Sequence, residues 1–350
     1  FWLVTTTMHL MPGAPIMHSK DLVNWETVSY LFDRLDETPK YNMQGGTVYG
    51  RGQWATSIRY HNGTFYALFS PNDEPFRSFV YTTKDPRKGW TLHSRLPHFH
   101  DASLFFDDDG RVYVFSGTGK LTELNADLTA KKEGGVDITL NVRDEEENNL
   151  LEGSRVIKHD GRYYLLMISW PKDKPRRQLC YRADKITGPY EKKVILEDNF
   201  AGFPYAGQGT IVDDGHGNWY GFIFQDRVPL LMPCRWTDGW PMLGNVNGKV
   251  PFVMNKPVQG FKDIDMVVSD DFNGDTLDLK HWQWNHNPAN DFWKLSDGRL
   301  RLTTCRVVDN LYMATNTLTQ RMEGPKCSAY IEIDFSGMRD GDRAGLAAFN

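Results

Sequence analysis

The sequence predicts an all-β protein: a five-bladed β-propeller followed by a partial β-sandwich. Three observations lead there. A turn-and-strand motif recurs at intervals near fifty residues, a polar or aromatic residue falls at one fixed place in each repeat, and the pattern changes after residue 243.

The repeat is a tight turn followed by aromatic and β-branched residues. It occurs as His61-Asn62-Gly63-Thr64-Phe65-Tyr66, Asp108-Asp109-Gly110-Arg111-Val112-Tyr113, His159-Asp160-Gly161-Arg162-Tyr163-Tyr164 and Gly215-His216-Gly217-Asn218-Trp219-Tyr220. Each is a hairpin signature. The turn glycines are 47, 51 and 56 residues apart, room for one four-stranded sheet per repeat. Phe1-Trp2 stands in register with Phe65-Tyr66, implying a fifth copy whose turn and innermost strand precede residue 1. One strand later a second element repeats: Met17-His18-Ser19-Lys20-Asp21 before Trp25, Tyr81-Thr82-Thr83-Lys84-Asp85 before Trp90, and Tyr181-Arg182-Ala183-Asp184 before Gly188-Pro189-Tyr190. Residues 1–243 are therefore expected to form the propeller.

Residues 244–268, with Gly244, Pro251, Pro257 and Gly260, read as a linker. A new unit is expected over 269–350, a sandwich of which only part is present. Its short strands are predicted at Asp270-Asp271-Phe272, Trp282–Asn285, Leu300–Leu302 and Tyr330–Phe335.

Composition narrows the function. The net charge is −5, with 40 basic and 45 acidic residues scattered along 350, so there is no basic stripe for neutralising phosphates and no nucleic-acid partner is expected. No apolar run is long enough to span a bilayer, so no membrane partner is expected either. Cys180, Cys234, Cys305 and Cys327 lack the spacing of a zinc site or a disulfide scaffold, and read as free thiols of the core. No metal site is expected. The chain opens inside a strand, so a leader would lie outside it, and a secreted or periplasmic location is favoured over a cytoplasmic one. Aromatic residues make up 13% of the chain; flat rings suit sugars, and they also suit sheet cores.

Nine residues before the four turn glycines stand Trp54, Asp101, Glu152 and Gln208. In a propeller the innermost strands line a common axis, so equivalent positions converge. Two acids, an amide and an aromatic in one small space fit glycoside hydrolysis, which needs a pair of carboxyl groups. The competing reading has Asp101 and Glu152 in ordinary ion pairs with Arg59, Arg155 or His100.

These residues resemble glycoside hydrolase family 43, in its β-xylosidase and α-L-arabinofuranosidase members with a C-terminal concanavalin A-like sandwich. Phe1–Thr6, Pro12–Ile16 and His18–Trp25 look like that family's first blade, and Trp54–Arg59, Asp101–Gly110, Glu152-Gly153-Ser154 and Asp238–Pro241 continue it. Asp271-Phe272, Trp282–Pro288, Gln320-Arg321 and Gly341–Leu346 are similar to the associated sandwich. The resemblance implies an exo-acting, inverting hydrolase that removes terminal pentose units from plant polysaccharide or oligosaccharides. In it Glu152 is the general acid, and Asp101 orients that acid and keeps it protonated. Trp54 stacks on the sugar, and Arg227 reaches its hydroxyls. The aspartate that activates water is expected upstream of Phe1. Gln208 stands where many relatives have a histidine near a central ion, so no cofactor is required and a structural calcium is doubtful. Met8–Met11 replaces a more aromatic loop, which leaves the sugar open and keeps a galactosidase in view. The rival from another class is a non-catalytic carbohydrate-binding propeller. Neither the oligomeric state nor the sandwich's role is readable.

Overall fold

The computed structural model describes residues 1–324 and 326–348. The calls on the segment 269–350 therefore lie outside the described residues at 325, 349 and 350. Among the described residues no helix is long and apolar enough to cross a membrane.

Five antiparallel sheets follow one another along the chain. The first is built from β1 (Trp2–Val4), β3 (Gly13–His18) and β4 (Glu26–Phe32), with the short β2 (Leu10–Met11) lying apart from it. The second holds β5 (Ser57–His61), β6 (Thr64–Phe69), β7 (Arg77–Thr83) and β8 (Thr91–Pro97). The third holds β9 (Ser103–Phe106), β10 (Val112–Ser116), β11 (Lys120–Leu124) and β12 (Asp137–Thr139). The fourth holds β13 (Leu150–His159), β14 (Arg162–Trp170), β15 (Arg177–Ala183) and β16 (Glu191–Leu196). The fifth holds β17 (Gly209–Asp213), β18 (Trp219–Gln225), β19 (Val228–Thr237) and β20 (Trp240–Leu243). The turn signatures do their expected work: Asn62-Gly63 (φ 47° and 75°) and Asp160-Gly161 (φ 48° and 75°) are two-residue turns whose positive φ matches the twist of the strands they join.

Strand periodicity explains why the sheets assemble in a ring. Side chains alternate between the two faces of a strand, and here both faces are covered. On β14, Tyr163, Leu165 and Met167 enter the core shared with the third sheet. Tyr164 and Leu166, on the opposite face, enter the core shared with the fifth. On β10, Tyr113 and Phe115 face the fourth sheet while Val112 and Val114 face the second. A further core joins the first and second sheets around Phe32, Phe69 and Phe79. The ring closes where Met17 of β3, with Leu22 and Trp25 of the β3–β4 connection, meets Tyr220, Phe222 and Leu231 of the fifth sheet.

The C-terminal segment docks by extending a strand of the propeller. β21 (Gln283–Asn285) pairs with β2 on one side and with β24 (Leu318–Thr319) on the other, and β22 (Trp293–Leu295) pairs with β23 (Leu300–Leu302) nearby. Asp270–Phe272 and Tyr330–Phe335, expected as strands, carry no strand. Tyr330 and Phe335 are 93% and 71% exposed, and without a ladder partner an alternating segment has nothing to hold it extended. Two buried imidazoles fasten the joint. His286 Nε2 accepts from Val48 N (3.1 Å) and meets Thr47 Oγ1 (2.6 Å), while its Nδ1 faces Asn285 Oδ1 (2.7 Å). His9 Nδ1 accepts from Gly50 N (3.1 Å), and the two rings lie 5.1 Å apart. Both must be neutral to accept these bonds, and burial lowers His9 to about 4 and His286 to about 3.

Two outcomes follow from this packing. Replacing Leu165, fully buried between the third and fourth sheets, by Ala should destabilise the fold by about 2–5 kcal/mol in denaturant titrations. The joint should loosen in acid. Above roughly pH 6.5 both imidazoles are neutral whether the chain is folded or not; below it the unfolded chain binds protons that the folded one refuses until near 4 and 3. Melting temperature should therefore fall between those pH values, and a His9→Gln/His286→Gln double variant should show a shallower fall from a lower starting point.

Candidate active site

The four inner strands β5, β9, β13 and β17 begin at one mouth of the ring, and the residues singled out by spacing gather there. Their local setting differs from a simple inner-strand position. Glu152 alone lies within a strand; Trp54, Asp101 and Gln208 stand just ahead of β5, β9 and β17. Asp101 (φ 47°) and Gln208 (φ 64°) are in the left-handed region, where an L-residue cannot continue a ladder. Each such residue costs on the order of 1–3 kcal/mol and persists where surrounding structure compels it.

A bulge sets the direction of Glu152. The β13–β14 register runs Glu152↔Ile168 and then Arg155↔Leu166, so one extra residue is accommodated, and Gly153 takes it up at φ 74°. A Cβ on Gly153 would stand 2.8 Å from Gln208 Cγ, so the glycine is required both by its backbone angle and by the close approach of Gln208.

The polar contacts form a chain across three sheets. His100 Nε2 lies 3.3 Å from Glu152 Oε2 and 3.8 Å from Asp101 Oδ2. Gln208 Nε2 donates to Asp101 Oδ2 (3.1 Å), and Gln208 N donates to Oε1 of the fully buried Gln178 (2.8 Å). Gln178 is fixed in turn by donating to the carbonyls of Met167 and Leu179. The hydrogen bond to Glu152, followed by the negative charges of Asp101 and Glu152, raises the His100 imidazole against the opposing effect of burial. Exposure separates the two acids. The Asp101 side chain is 6% exposed and that of Glu152 33%, so Asp101 is shut in below while Glu152 is open above.

Arg59 and Arg155 do not pair with these acids as an ordinary ion-pair reading supposed. Arg59 donates to Ser103 Oγ and the Val156 carbonyl, and Arg155 to the carbonyls of Ala102, Ser154 and Thr56. They brace the inner strands from within. Burial, with Arg155 beside it, brings the Arg59 guanidinium down to about 10, still fully charged at neutral pH.

Trp54 and Arg227 meet from opposite sheets. Arg227 Cζ lies 5.8 Å from the Trp54 ring and 5.6 Å from that of Phe224, and Phe224 N donates to the Gln208 carbonyl (3.1 Å). Arg227 is held there by the β18–β19 turn, Asp226-Arg227, with φ 43° and 72°. Trp54 Nε1 donates to the Gly50 carbonyl (3.0 Å), whose own N–H is bonded to His9, so the wall of the site is tied to the joint with the C-terminal segment. Sequence reasoning treated His100 only as a salt-bridge partner, and missed Gln178 and the bulge at Gly153. A histidine beside Asp101 and a glycine after Glu152 were the available signals.

His100, Asp101 and Glu152 could bring one donor atom each within 4.8 Å of one another. The set is one imidazole and two carboxylates, and Gln208 turns its NH2 group toward Asp101. A second acidic group, Asp144, Glu146 and Glu147, is already matched by Lys174, Arg177 and Lys192. Of the cysteines, all free, Cys180 and Cys234 are buried as expected, Cys305 is partly covered, and Cys327 is exposed.

Clustered carboxyl groups at the mouth of a five-sheet propeller define a glycosidase-type site. The family model "Glycosyl hydrolases family 43" matches residues 1–241, and "Beta xylosidase C-terminal Concanavalin A-like domain" matches residues 269–350. The chain belongs to glycosyl hydrolases family 43. A protein of Xylanibacter ruminicola is 31% identical over 361 residues, covering 96% of this chain and 65% of its own length. A β-xylosidase of Formosa agariphila is 28% identical over 414 residues, covering 100% and 69%. Among solved structures, a bifunctional GH43-CE protein of Bacteroides eggerthii superposes with a TM-score of 0.84 at 41% identity, covering 93% of this chain and 43% of that one. The chain thus spans about two thirds of the length of these curated relatives and under half of that solved chain.

Gly153→Ala should separate site geometry from fold. A side chain at φ 74° against Gln208 is expected to cost about 1–2 kcal/mol of stability. It should lower kcat/KM on an aryl glycoside by about 100-fold, the scale of loss that a misplacement of about 1 Å at a site can bring.

Proposed function

We propose that this propeller removes terminal pentose units, β-D-xylosyl or α-L-arabinofuranosyl, from the ends of plant-derived oligosaccharides or polysaccharides, with inversion at the anomeric carbon. The observation that carries the reading is the open Glu152 on its bulge with the enclosed Asp101 beside it. Glu152 gives its proton to the glycosidic oxygen as the bond to the sugar breaks. Asp101 is a positioning residue: with His100 it fixes where the Glu152 carboxyl points. Trp54, Arg227 and Gln208 bound the pocket that takes the terminal sugar, Arg227 supplying donors to hydroxyls and Trp54 a flat apolar face.

Inversion needs a carboxylate that activates water at about 6.5–9.5 Å from the acid. Asp101 is too near for that role, with an oxygen within 4.8 Å of Glu152. Its spacing is closer to that of a retaining nucleophile, about 5–5.5 Å, yet its side chain is only 6% exposed and already accepts from Gln208, which leaves no open face toward a sugar carbon. The base is therefore a different group. The names of relatives support the sugar class: a β-xylosidase from Formosa agariphila and a non-reducing end α-L-arabinofuranosidase from Bacteroides ovatus, 28% and 26% identical. An extracellular or periplasmic location suits such substrates and belongs to the same proposal.

The test is nitrophenol release from xyloside, arabinofuranoside and galactoside by the full-length protein. Glu152→Gln should lower kcat on unactivated disaccharides by about 10²–10⁴-fold, the usual contribution of general acid catalysis, and much less on dinitrophenyl glycosides, whose leaving group needs no proton. Equal losses on both, or none, would reject Glu152 as the acid. Release of the galactoside alone would move the substrate class to hexoses.

A further inference from the structure

We propose that Trp170, Arg176 and Tyr205 form a stacking platform for the sugar on the leaving-group side of the scissile bond, an inference that rests on Glu152 being the general acid. A general acid touches the leaving oxygen, so the departing sugar lies against whatever flanks the acid on its outward side. In the β13–β14 ladder the pair outward of Glu152↔Ile168 ends in Leu150↔Trp170, the outermost rung of the sheet. Residues 164, 166, 168 and 170 share a face by alternation, and that face is turned to the fifth sheet: Leu166 packs in the core between the two, and Ile168 lies against Gly207, beside Gln208. Trp170 therefore stands at the rim next to the site.

Its chemistry suits a sugar. Trp170 keeps 42% of its surface open at a place where burial was available to its neighbour Ile168, 2% exposed. Arg176 Cζ lies 4.3 Å from the Trp170 ring and 4.5 Å from the Tyr205 ring, a cation between two aromatic faces. Among the described residues Arg176 makes no ion pair, so its N–H donors are available to hydroxyl groups. A pyranose or furanose ring has an apolar face edged by hydroxyls, and an open indole beside a guanidinium matches both.

The platform is also held rigid. Ser169 bonds to the buried Glu147, and Arg177 Nη2 donates to Glu147 (2.6 Å), while Ser169 and Arg177 pair across β14 and β15. The two residues that carry Trp170 and Arg176 are thereby pinned to one buried carboxylate. Preorganisation of this kind limits the ordering cost of binding.

The experiment compares xylotetraose with β-D-xylosyl fluoride, whose leaving group has no ring, using the full-length protein. Trp170→Ala should lower kcat/KM for xylotetraose about tenfold more than for the fluoride, ~1.4 kcal/mol of leaving-group binding, with most of the difference in KM. Trp170→Phe should recover most of it. Binding is measured separately by calorimetry in Glu152→Gln, where no turnover is needed, so the platform is tested even if the hydrolase reading fails; there Trp170→Ala should weaken xylotetraose by a similar factor. Equal losses on both substrates overturn the platform. So does a Glu152→Gln parent that binds neither xylotetraose nor arabinotetraose, or one whose binding is indifferent to Trp170.

Discussion

The constraint on which the rest depends is that the sheets have two apolar faces and must bury both. A strand such as β14 sends Leu165 one way and Leu166 the other, and each residue finds a partner only if a sheet stands on either side. An open stack would leave two end faces in water. Meeting of Trp25 with Phe222 across the first and fifth sheets removes those ends. Closing the ring brings the starts of the inner strands to a common mouth, and that convergence is what makes a site from residues about fifty positions apart in the chain.

At the mouth, regular β-structure gives way in a few defined places. Asp101 and Gln208 adopt left-handed backbone, and Gly153 supports a bulge. These departures accomplish what a straight strand cannot: they turn Glu152 outward, set Asp101 beneath it, and let Gln208 close against the glycine. The strain is carried by neighbours that are themselves hydrogen-bonded, above all Gln178 and the two arginines that brace the inner strands. A functional constellation needs its groups held to a fraction of an ångström, and a ring of sheets locked by five apolar cores offers that rigidity.

The C-terminal segment belongs to the same economy of contacts. It extends β2, an isolated strand from the mouth-side connection of the first sheet, and seats His286 against the loop that leads to Trp54. The segment that carries Trp54 is thus fixed from outside the propeller as well as from within it. Because both imidazoles act as acceptors, this joint depends on their neutrality.

By itself the sequence determined the repeat, the hairpin turns and the convergence of one residue per sheet, because turn chemistry and side-chain alternation are local properties that spacing records. It named Asp101, Glu152, Gln208 and Trp54 by spacing and Arg227 by family resemblance; in the folded chain Gln208 bonds Asp101, and Arg227 lies over the Trp54 ring. It also suggested strands at Asp270–Phe272 and Tyr330–Phe335 that do not form, since alternation cannot supply a pairing partner. Only the tertiary structure decided which acid is open and which enclosed, that His100 bridges them, and that Arg59 and Arg155 bond to carbonyls instead of carboxylates. It alone set Trp170 beside Arg176 and Tyr205. Those outcomes turn on burial and on contacts between distant sheets, quantities fixed only when the ring has closed.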